Sequence, residues 1–282
     1  MTKEIRVLSF GGGVQSSTLL LMAIHGELKK PIDHVIFADT GYEPKGVYEW
    51  IETLKPLAEK AGIPFHIVSA GNIKEDTFSP GRFASIPFHV LNDDGTRGIA
   101  RRQCTQDYKI IPVQKKEREL VGLKPRQRWN QEKHGVVINL MGISTDEIQR
   151  MKDNRLAPNI INEYPLIDMW MSRYDCIRWC QEKGYGRPPR SACIACPYHS
   201  DKEWRKMKME DPESFEEAVR FEKALQTPLP MEGDVPHQKD RFKGTLFLHN
   251  SCKPLDEIDF RNEEDRGQTS LFDQECEGMC GI

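Results

Sequence analysis

Apolar and polar positions alternate along the first 70 residues in a pattern typical of an α/β protein. Three short apolar runs predict buried parallel strands, at residues 5–10, 35–38 and 64–69. The segments between them carry apolar positions at helical spacing and predict helices at residues 16–25 and 44–61. Strands and helices in strict alternation predict a doubly wound, Rossmann-like parallel sheet with helices on both faces.

Regular elements continue more sparsely beyond residue 70. A further buried strand is predicted over 136–142, and helices are predicted over 107–120, 172–183, 201–209 and 212–225. Residues 70–105 and 227–245 read as loops. We therefore expect three parts, namely a nucleotide-binding α/β domain at 1–165, a helical, cysteine-bearing region at 166–258 and an acidic, mobile tail at 259–282.

Charge changes this picture locally. The 282 residues carry 40 Lys and Arg against 43 Asp and Glu, which excludes a uniformly basic nucleic-acid coat. Residues 97–134 nevertheless hold 11 Lys and Arg against 4 Asp and Glu, and residues 251–282 hold 3 against 9. A basic middle and an acidic tail predict a centrally bound anionic ligand and a tail that folds back over it.

The apolar runs are too short for a membrane span, and no signal peptide precedes the first strand. We therefore expect a cytoplasmic protein without a membrane partner. In a reducing compartment, the eight cysteines are expected to serve metal binding or redox chemistry and not disulfides.

The segment SFGGGVQSS joins the first strand to the first helix. Consecutive glycines let backbone N–H groups converge, and the following helix N-terminus adds partial positive charge. This combination predicts a phosphate-binding loop, although a tight turn without ligand is the alternative. The candidate residues are Ser9, Gly11, Gly12, Gly13, Gln15, Ser16 and Ser17.

Two later segments also follow strand ends, where open α/β sheets bind ligands. Asp39 and Thr40 belong to FADTGYEP, in which the carboxylate can hold a ribose hydroxyl, a metal or a water. Gly142 belongs to MGISTDEIQR, where a backbone without Cβ can meet an adenine or ribose. Asp146 and Glu147 in that segment read as acids at a helix N-terminus.

Together these segments resemble the PP-loop family, in the branch of phosphoadenylylsulfate (PAPS) reductase and the ATP pyrophosphatases. SFGGGVQSS is similar to that family's SGGxDS loop, FADTGYEP to its DTG segment and MGISTDEIQR to its GIRxxES-type segment. A fourth segment, YPLIDMWMSRYDCIRW, is similar to the stretch before the family's cysteine motif, so the resemblance covers about residues 5–200.

The resemblance implies an adenine nucleotide, ATP or PAPS/APS, with its phosphates on the glycine loop and its ribose and adenine near Asp39 and Gly142. One position departs from the pattern. Gln15 stands where the ATP pyrophosphatases have an aspartate, and a neutral amide holds Mg²⁺ less well than a carboxylate does. This departure counts against ATP cleavage and is compatible with a sulfonucleotide.

The cysteines predict a metal centre. Cys193 and Cys196 form a CxxC motif, whose thiolates can share one metal or form a redox dithiol. The segment around Cys104 resembles the Cys…Lys…Pro element of the iron–sulfur sulfonucleotide reductases, with one cysteine where those enzymes have two. The fourth ligand then comes from elsewhere in the chain, with Cys252 as the candidate, or the cluster keeps one open iron. The resemblance favours a 4Fe-4S cluster, and a zinc site is the alternative.

The tail sequence ECEGMCGI offers two further thiols, Cys276 and Cys280. Thioredoxin-dependent PAPS reductases carry a nucleophilic cysteine in a similar setting, which implies a thiol reductant protein as partner. The first functional hypothesis is therefore sulfonucleotide reduction, in which a tail thiolate attacks the sulfate sulfur and Arg102 and Lys109 stabilise the developing charge.

The second hypothesis is ATP-dependent thiolation of a nucleic acid bound through residues 97–134, with Trp129 stacking on a base. A solvated helix face is the alternative interpretation for about half of that basic stretch. The third hypothesis is a nucleotide sensor without turnover that carries a structural zinc.

Overall fold

The centre of the protein is a five-stranded, all-parallel sheet in the order β3-β2-β1-β6-β7. Its strands are β1 (Glu4–Phe10), β2 (His34–Asp39), β3 (Phe65–Ser69), β6 (Val136–Met141) and β7 (Ile160–Glu163). The computed structural model describes residues 3–79, 86–152, 154, 157–229, 240 and 242–260. The chain leaves β1 toward β2 and returns to its other side at β6, so the strand order reverses between β1 and β6.

Helices cover both faces of this sheet, as the sequence predicts. The helices α1 (Val14–Ile24), α2 (Lys45–Lys60) and α7 (Arg173–Glu182) pack on one face through a shared apolar core. On the other face, a π-helical turn (Gln106–Ile110) leads into α4 (Ile111–Leu120), which packs through Val113 on Ile36 and Val137. The architecture is a mixed α/β fold, consistent with a Rossmann-like arrangement.

A second, antiparallel sheet lies in segments that the sequence predicts as loops. Its strands are β4 (His89–Asn92), β5 (Arg97–Ile99) and β8 (Gly244–Phe247), in the order β5-β4-β8. Strands of three or four residues are too short to show a period in the sequence. The loop prediction for 70–105 is therefore wrong at β4, at β5 and at the short helix Ile73–Phe78. The prediction for 227–245 is wrong at residues 244 and 245, where β8 begins, and β7 was not predicted either.

The second sheet shares a core with α8 (Asp201–Glu210) and α9 (Pro212–Gln226), built around Phe88, Trp204 and Phe221. The short helices α3 (Ile73–Phe78), α5 (Gln131–His134) and α6 (Pro165–Asp168) complete the fold, with 3₁₀ turns at Thr145–Arg150 and Leu255–Glu257. Because β8 pairs with β4, the predicted parts 1–165 and 166–258 contribute strands to one sheet.

Within the described residues, no helix is both long and apolar enough to cross a membrane. The acidic tail from residue 261 onward, including Cys276 and Cys280, lies outside the described residues.

Candidate functional site

The glycine loop lies between β1 and α1, at the point where the strand order reverses. Gly12 has φ +78°, and a Cβ there would come within 2.9 Å of Val47 Cγ1, so this position requires glycine. The Ser16 hydroxyl accepts a hydrogen bond from Gly11 N at 3.2 Å and donates to the Gly13 carbonyl at 3.3 Å. The loop therefore turns back on the first turn of α1.

Gly142 brings the end of β6 against this loop. A Cβ on Gly142 would lie 2.7 Å from Ser16 N and 3.0 Å from Ser16 Cα, which are backbone atoms that cannot move aside. The parallel pairing of Ser9 with Met141 sets this approach. Two segments that the sequence singles out separately thus form one site at the carboxyl edge of the sheet.

A cleft of about 100 Å³ opens between the glycine loop and the end of β6. We call it the glycine-loop cleft. Its lining includes Ser9, Gly11, Gly13, Gln15, Ser16 and Gly142. Four cationic side chains also line it, against the single carboxylate of Glu147: Lys109, Arg150, Arg173 and Arg190. This cationic lining complements an anion, and a helix N-terminus with glycine N–H groups favours phosphate.

Glu147 brings a carboxylate to the position where Gln15 lacks one. The Gln15 amide donates to Glu147 Oε2 at 3.2 Å and to Ser144 Oγ at 3.3 Å, and Glu147 also pairs with Arg150. The sequence pattern assigns Glu147 only to a helix N-terminus, because its contact with Gln15 depends on packing between distant segments. The pairing places an anionic group beside the loop amide.

Not every predicted loop residue lines the cleft. Ser17 is fully buried, and its hydroxyl accepts a hydrogen bond from Trp50 Nε1 at 2.8 Å, which ties α1 to α2. Ser9 does line the cleft and donates to Asn139 Oδ1 at 2.7 Å. Ser17 is not among the residues that line the cleft, and its predicted phosphate contact stays a prediction.

Asp39 stabilises the turn that follows β2. Its Oδ1 atom accepts from Gly41 N at 2.8 Å and from the Tyr48 hydroxyl at 2.9 Å. Burial raises the pKa of Tyr48, and the hydrogen bond to Asp39 raises it further, so the phenol stays protonated and keeps donating. Thr40 is buried and donates to Glu43 Oε1 at 3.3 Å.

Three of the four cysteines predicted as metal ligands line one pocket: Cys104, Cys193 and Cys196. This cysteine pocket has a volume of about 50 Å³, and Arg102, Thr40 and Lys109 also line it. Burial raises the pKa of the Cys193 thiol, and the Glu43 carboxylate raises it further. Lys109 lines both the cysteine pocket and the glycine-loop cleft, so the two adjoin.

Glu43 lies at this junction, and the sequence analysis missed it. Its side chain is fully buried and lies 3.3 Å from Lys109 Nζ. Hydroxyl groups of Thr40 and Ser191 donate to it at 3.3 Å, and Cys193 Sγ lies 3.8 Å away. The GYEP sequence after Asp39 was the available signal, because it continues a strand end toward the ligand edge.

His199 supports the CxxC turn from behind. Its Nε2 atom hydrogen-bonds to the Cys193 carbonyl at 3.0 Å, and its ring packs edge-on against Trp204. Burial lowers the pKa of His199 to about 4, so the ring is neutral and donates to that carbonyl. The buried core beneath α8 thereby fixes the backbone that carries Cys193 and Cys196.

The fourth predicted ligand, Cys252, is not among the residues that line the cysteine pocket. It follows β8 with φ +52°, and its buried thiol lies 3.9 Å from the Asn250 carbonyl. In the part of the chain that the structure describes, no three His, Cys, Asp or Glu side chains converge to hold a metal ion. The described residues thus do not assemble the four-cysteine centre, and the cluster or zinc stays a prediction.

The basic stretch at 97–134 is partly used within the fold. Arg102 donates to Thr105, and the Arg118 guanidinium lies over the Trp129 ring. The Trp129 indole donates to the Gly135 carbonyl at 2.9 Å, so this ring is held by the protein rather than presented to a base. Other cations of the stretch are exposed, namely Arg101, Lys115, Lys124, Arg126 and Arg128.

The site therefore combines a cationic cleft at a glycine loop with an adjoining pocket of three cysteines. The two tail cysteines predicted as catalytic, Cys276 and Cys280, lie outside the described residues. In comparisons with known proteins, no family model and no curated protein sequence matches this chain.

Proposed function

We propose that this protein is a PP-loop enzyme that binds an adenine nucleotide in the glycine-loop cleft and performs sulfur chemistry beside it. One observation carries the proposal, namely that Lys109 lines both the cationic cleft and the cysteine pocket. Nucleotide phosphates on the loop would leave the reacting group near Lys109, whose charge can stabilise an oxyanion leaving group.

The first candidate reaction is reduction of PAPS or APS. A thiolate of Cys276 or Cys280 attacks the sulfate sulfur, forms an S–S bond and releases the adenine nucleotide as leaving group. A second thiolate then attacks the Sγ atom of the cysteine that carries the sulfonate group. A disulfide forms between the two thiols, and the bond from Sγ to the sulfonate breaks, so that sulfite leaves with its electron pair. A thiol reductant protein restores the dithiol. Arg102 and Lys109 both line the cysteine pocket, and in this reaction their charges would stabilise the developing negative charge.

Release of ³⁵S-sulfite from labelled PAPS or APS, in the presence of a thiol reductant, tests this reaction. We expect turnover by the full-length protein and its loss in a Cys276→Ser, Cys280→Ser double variant. Cys176→Ser is the matched control, because Cys176 is buried between α7 and α1. Sulfite formation that survives loss of both tail cysteines would rule out this route.

The second candidate is ATP-dependent thiolation of a nucleic acid, in which ATP activates the acceptor and a sulfur nucleophile displaces AMP. The carboxylate of Glu147 favours it, since this group lies beside Gln15 and can help hold Mg²⁺ where the loop aspartate is missing. Pyrophosphate release from ATP, measured with and without single-stranded nucleic acid, tests it.

The two reactions give different results in the same pair of assays. Sulfite without pyrophosphate supports reduction, and pyrophosphate that depends on nucleic acid supports thiolation. Nucleotide binding without either product, unaffected by loss of the tail cysteines, would instead support the sensor hypothesis.

A further inference from the structure

A larger cavity adjoins the glycine-loop cleft, and the function proposed above leaves it unused. Its volume is about 720 Å³, within the range of about 300–1,000 Å³ that is usual for small-molecule sites. Ser9, Met141 and Arg150 line both the cleft and the cavity. We call it the amide cavity, because five of its lining side chains end in a carboxamide: Gln106, Gln114, Asn139, Asn154 and Asn162.

Polar side chains from three neighbouring strands form one side of the amide cavity. Ser9 of β1 donates from Oγ to Asn139 Oδ1 at 2.7 Å, and Asn139 of β6 donates from Nδ2 to Asn162 Oδ1 of β7 at 3.2 Å. The β6 sequence VVINLM is otherwise apolar, and Asn139 is only 8% exposed. A buried carboxamide costs free energy unless its polar atoms are paired. This chain of hydrogen bonds therefore stabilises Asn139 and holds it and Asn162 in fixed orientations at the cavity.

The helical elements on the α4 face of the sheet contribute the other side of the cavity. Gln106 and Ile110 belong to the π-helical turn that precedes α4, and Val113 and Gln114 belong to α4 itself. Such π-helical turns are rare and occur frequently at functional sites. Within the part of the chain that the structure describes, the carboxamides of Gln106 and Gln114 make no hydrogen bond. Both therefore line the cavity with unused donors and acceptors.

Between these amides the lining is apolar and carries little charge. Its two cations are Arg150, which pairs with Glu147, and the exposed Lys152, and no carboxylate is among its described residues. Four apolar side chains also line it: Ile110, Val113, Met141 and Met151. An ionised ligand would lose its hydration here with little opposite charge in return. An uncharged planar ring fits better, because its faces pack on apolar side chains while carboxamides pair with the polar atoms at its edge.

We propose that the amide cavity binds an uncharged, free nucleoside as a second small molecule beside the nucleotide. Gln114 pairs with a donor and an acceptor at the edge of the base, and Met141 packs on its face. The lining shared at Arg150 places this ligand next to the glycine-loop cleft, so that both sites are filled at once. A polymer is disfavoured, because two cations offer little to a row of phosphates. The inference goes beyond the proposed function, which includes no such ligand, and it does not depend on the sulfur chemistry.

Calorimetric titration with adenosine, guanosine, cytidine and uridine, each with and without saturating ATP, tests the cavity. At least one of these nucleosides should bind, with an affinity that ATP changes by less than about threefold. Gln114→Leu should weaken this binding about tenfold, because it removes a donor and an acceptor from the lining, and it should leave the affinity for ATP nearly unchanged. Asn139→Leu should weaken nucleoside binding by a similar factor, since it breaks the chain from Ser9 to Asn162.

Gln181→Leu is the matched control, because Gln181 is an exposed glutamine of α7 that is not among the residues lining the cavity. This variant should bind nucleosides as the wild type does, and thermal melting checks that every variant is folded. If none of the four nucleosides binds at millimolar concentration, the proposal is wrong. Equal nucleoside affinities in Gln114→Leu and the wild type would place the ligand outside the cavity and would overturn the proposal as well.

Competition separates this inference from the proposed function. If ATP displaces every nucleoside that binds, the cavity holds the base of the nucleotide itself, which overturns the inference and supports the proposed function. If a single-stranded oligomer binds in a manner that depends on Gln114 while no free nucleoside binds, the cavity serves a polymer and the inference is wrong. Nucleoside binding by a protein that binds neither ATP nor PAPS would support the inference and contradict the proposed function.

Discussion

Lys109 Nζ lies 3.3 Å from a carboxylate oxygen of Glu43 whose side chain is fully buried. Lys109 lines both the glycine-loop cleft and the cysteine pocket, and the carboxylate of Glu43 pairs with it there. The two members of this pair come from the turn after β2 and from the π-helical turn before α4, so the pair ties both faces of the sheet together at the ligand edge.

Removing one partner of this pair should lower the free energy of unfolding more than removing both partners does. Lys109→Met leaves a buried carboxylate without its cation, and we expect about 3 kcal/mol of lost stability. The Lys109→Met, Glu43→Gln double variant should recover most of that loss. Chemical unfolding of the wild type, of both single variants and of the double variant gives a double-mutant cycle, which measures the coupling energy of the pair. Additive losses would mean that the pair is not coupled.

Gly142→Ala should weaken nucleotide binding and destabilise the protein by about 1–3 kcal/mol, because the new Cβ would overlap Ser16 N. Gly46→Ala is the control, since nothing lies within 4 Å of its added Cβ and the residue is in α2. That variant should be stabilised by up to about 1 kcal/mol. Calorimetric titration with nucleotide and thermal melting measure both effects, and equal affinities in the two variants would contradict the close-approach argument.

Ser16→Ala and Ser17→Ala separate binding from folding at adjacent positions. Ser16 lines the cleft, so its loss should lower nucleotide affinity with little effect on stability. Ser17 is buried under Trp50, so its loss should cost about 1–3 kcal/mol of stability and leave affinity nearly unchanged. The reverse outcome would show that the Ser17 hydroxyl reaches the phosphate.

Glu117 makes folding stability depend on pH. Neither of its buried side-chain oxygens has a hydrogen-bond partner among the residues that the structure describes, and burial raises the pKa of Glu117 from 4.5 to about 8. The folded protein therefore keeps this proton while the unfolded chain releases it near pH 4.5. Its contribution to stability is greatest below pH 4.5 and is lost as the pH rises to about 8, at about 1.4 kcal/mol per pKa unit.

Glu117→Gln should remove this dependence. Chemical unfolding at pH 5 and pH 8 should show the variant gaining stability relative to the wild type as the pH rises, by about 2 kcal/mol or more. Glu119→Gln is the matched control, since this exposed neighbour pairs only at the surface with Lys116. Parallel stability curves for Glu117→Gln and the wild type would contradict the assignment.

The metal prediction is tested directly on protein purified without oxygen. We expect iron and acid-labile sulfide in near-stoichiometric amounts and a broad absorption band near 400 nm. A Cys193→Ser, Cys196→Ser variant should lose them, whereas Cys180→Ser, in the buried core between α7 and α1, should not. If the protein contains zinc and no iron, the centre is a structural zinc site and not a cluster. If it contains neither iron nor zinc, both metal predictions are wrong.

The central strands β1, β2 and β6 were predictable because they are mostly buried and read as apolar runs. The edge strand β7 was not predictable in this way, because it is short and half-exposed. The common polarity of the central strands then brings the glycine loop and Gly142 to one edge without any further information. The antiparallel strands were not predictable, because β4 and β8 are short and owe their conformation to each other. The sequence analysis predicted the glycine positions that form the cleft, but it did not predict the arginine side chains that line it.

The sequence analysis missed three side chains of the site for two different reasons. Glu147 and Arg190 reach the cleft through packing between distant segments, so no local spacing marks them. Glu43 had a local signal, the GYEP sequence after Asp39, which the analysis did not use. The sequence around Glu147 is also typical of an acidic residue at a helix N-terminus, which is how the sequence analysis interpreted it. Conversely, Ser17 and Trp129 match plausible ligand patterns, yet the fold uses their polar atoms internally, through Trp50 and Gly135.

The pairing of β4 with β8 imposes an order on folding during synthesis. The parallel sheet has all of its strands once residue 163 has emerged, whereas β4 waits for a partner that ends at Phe247. The core under the cysteine pocket also needs Leu246 and Leu255. A nascent chain can therefore complete its parallel sheet before the core that packs against Cys104 has received Leu246 and Leu255.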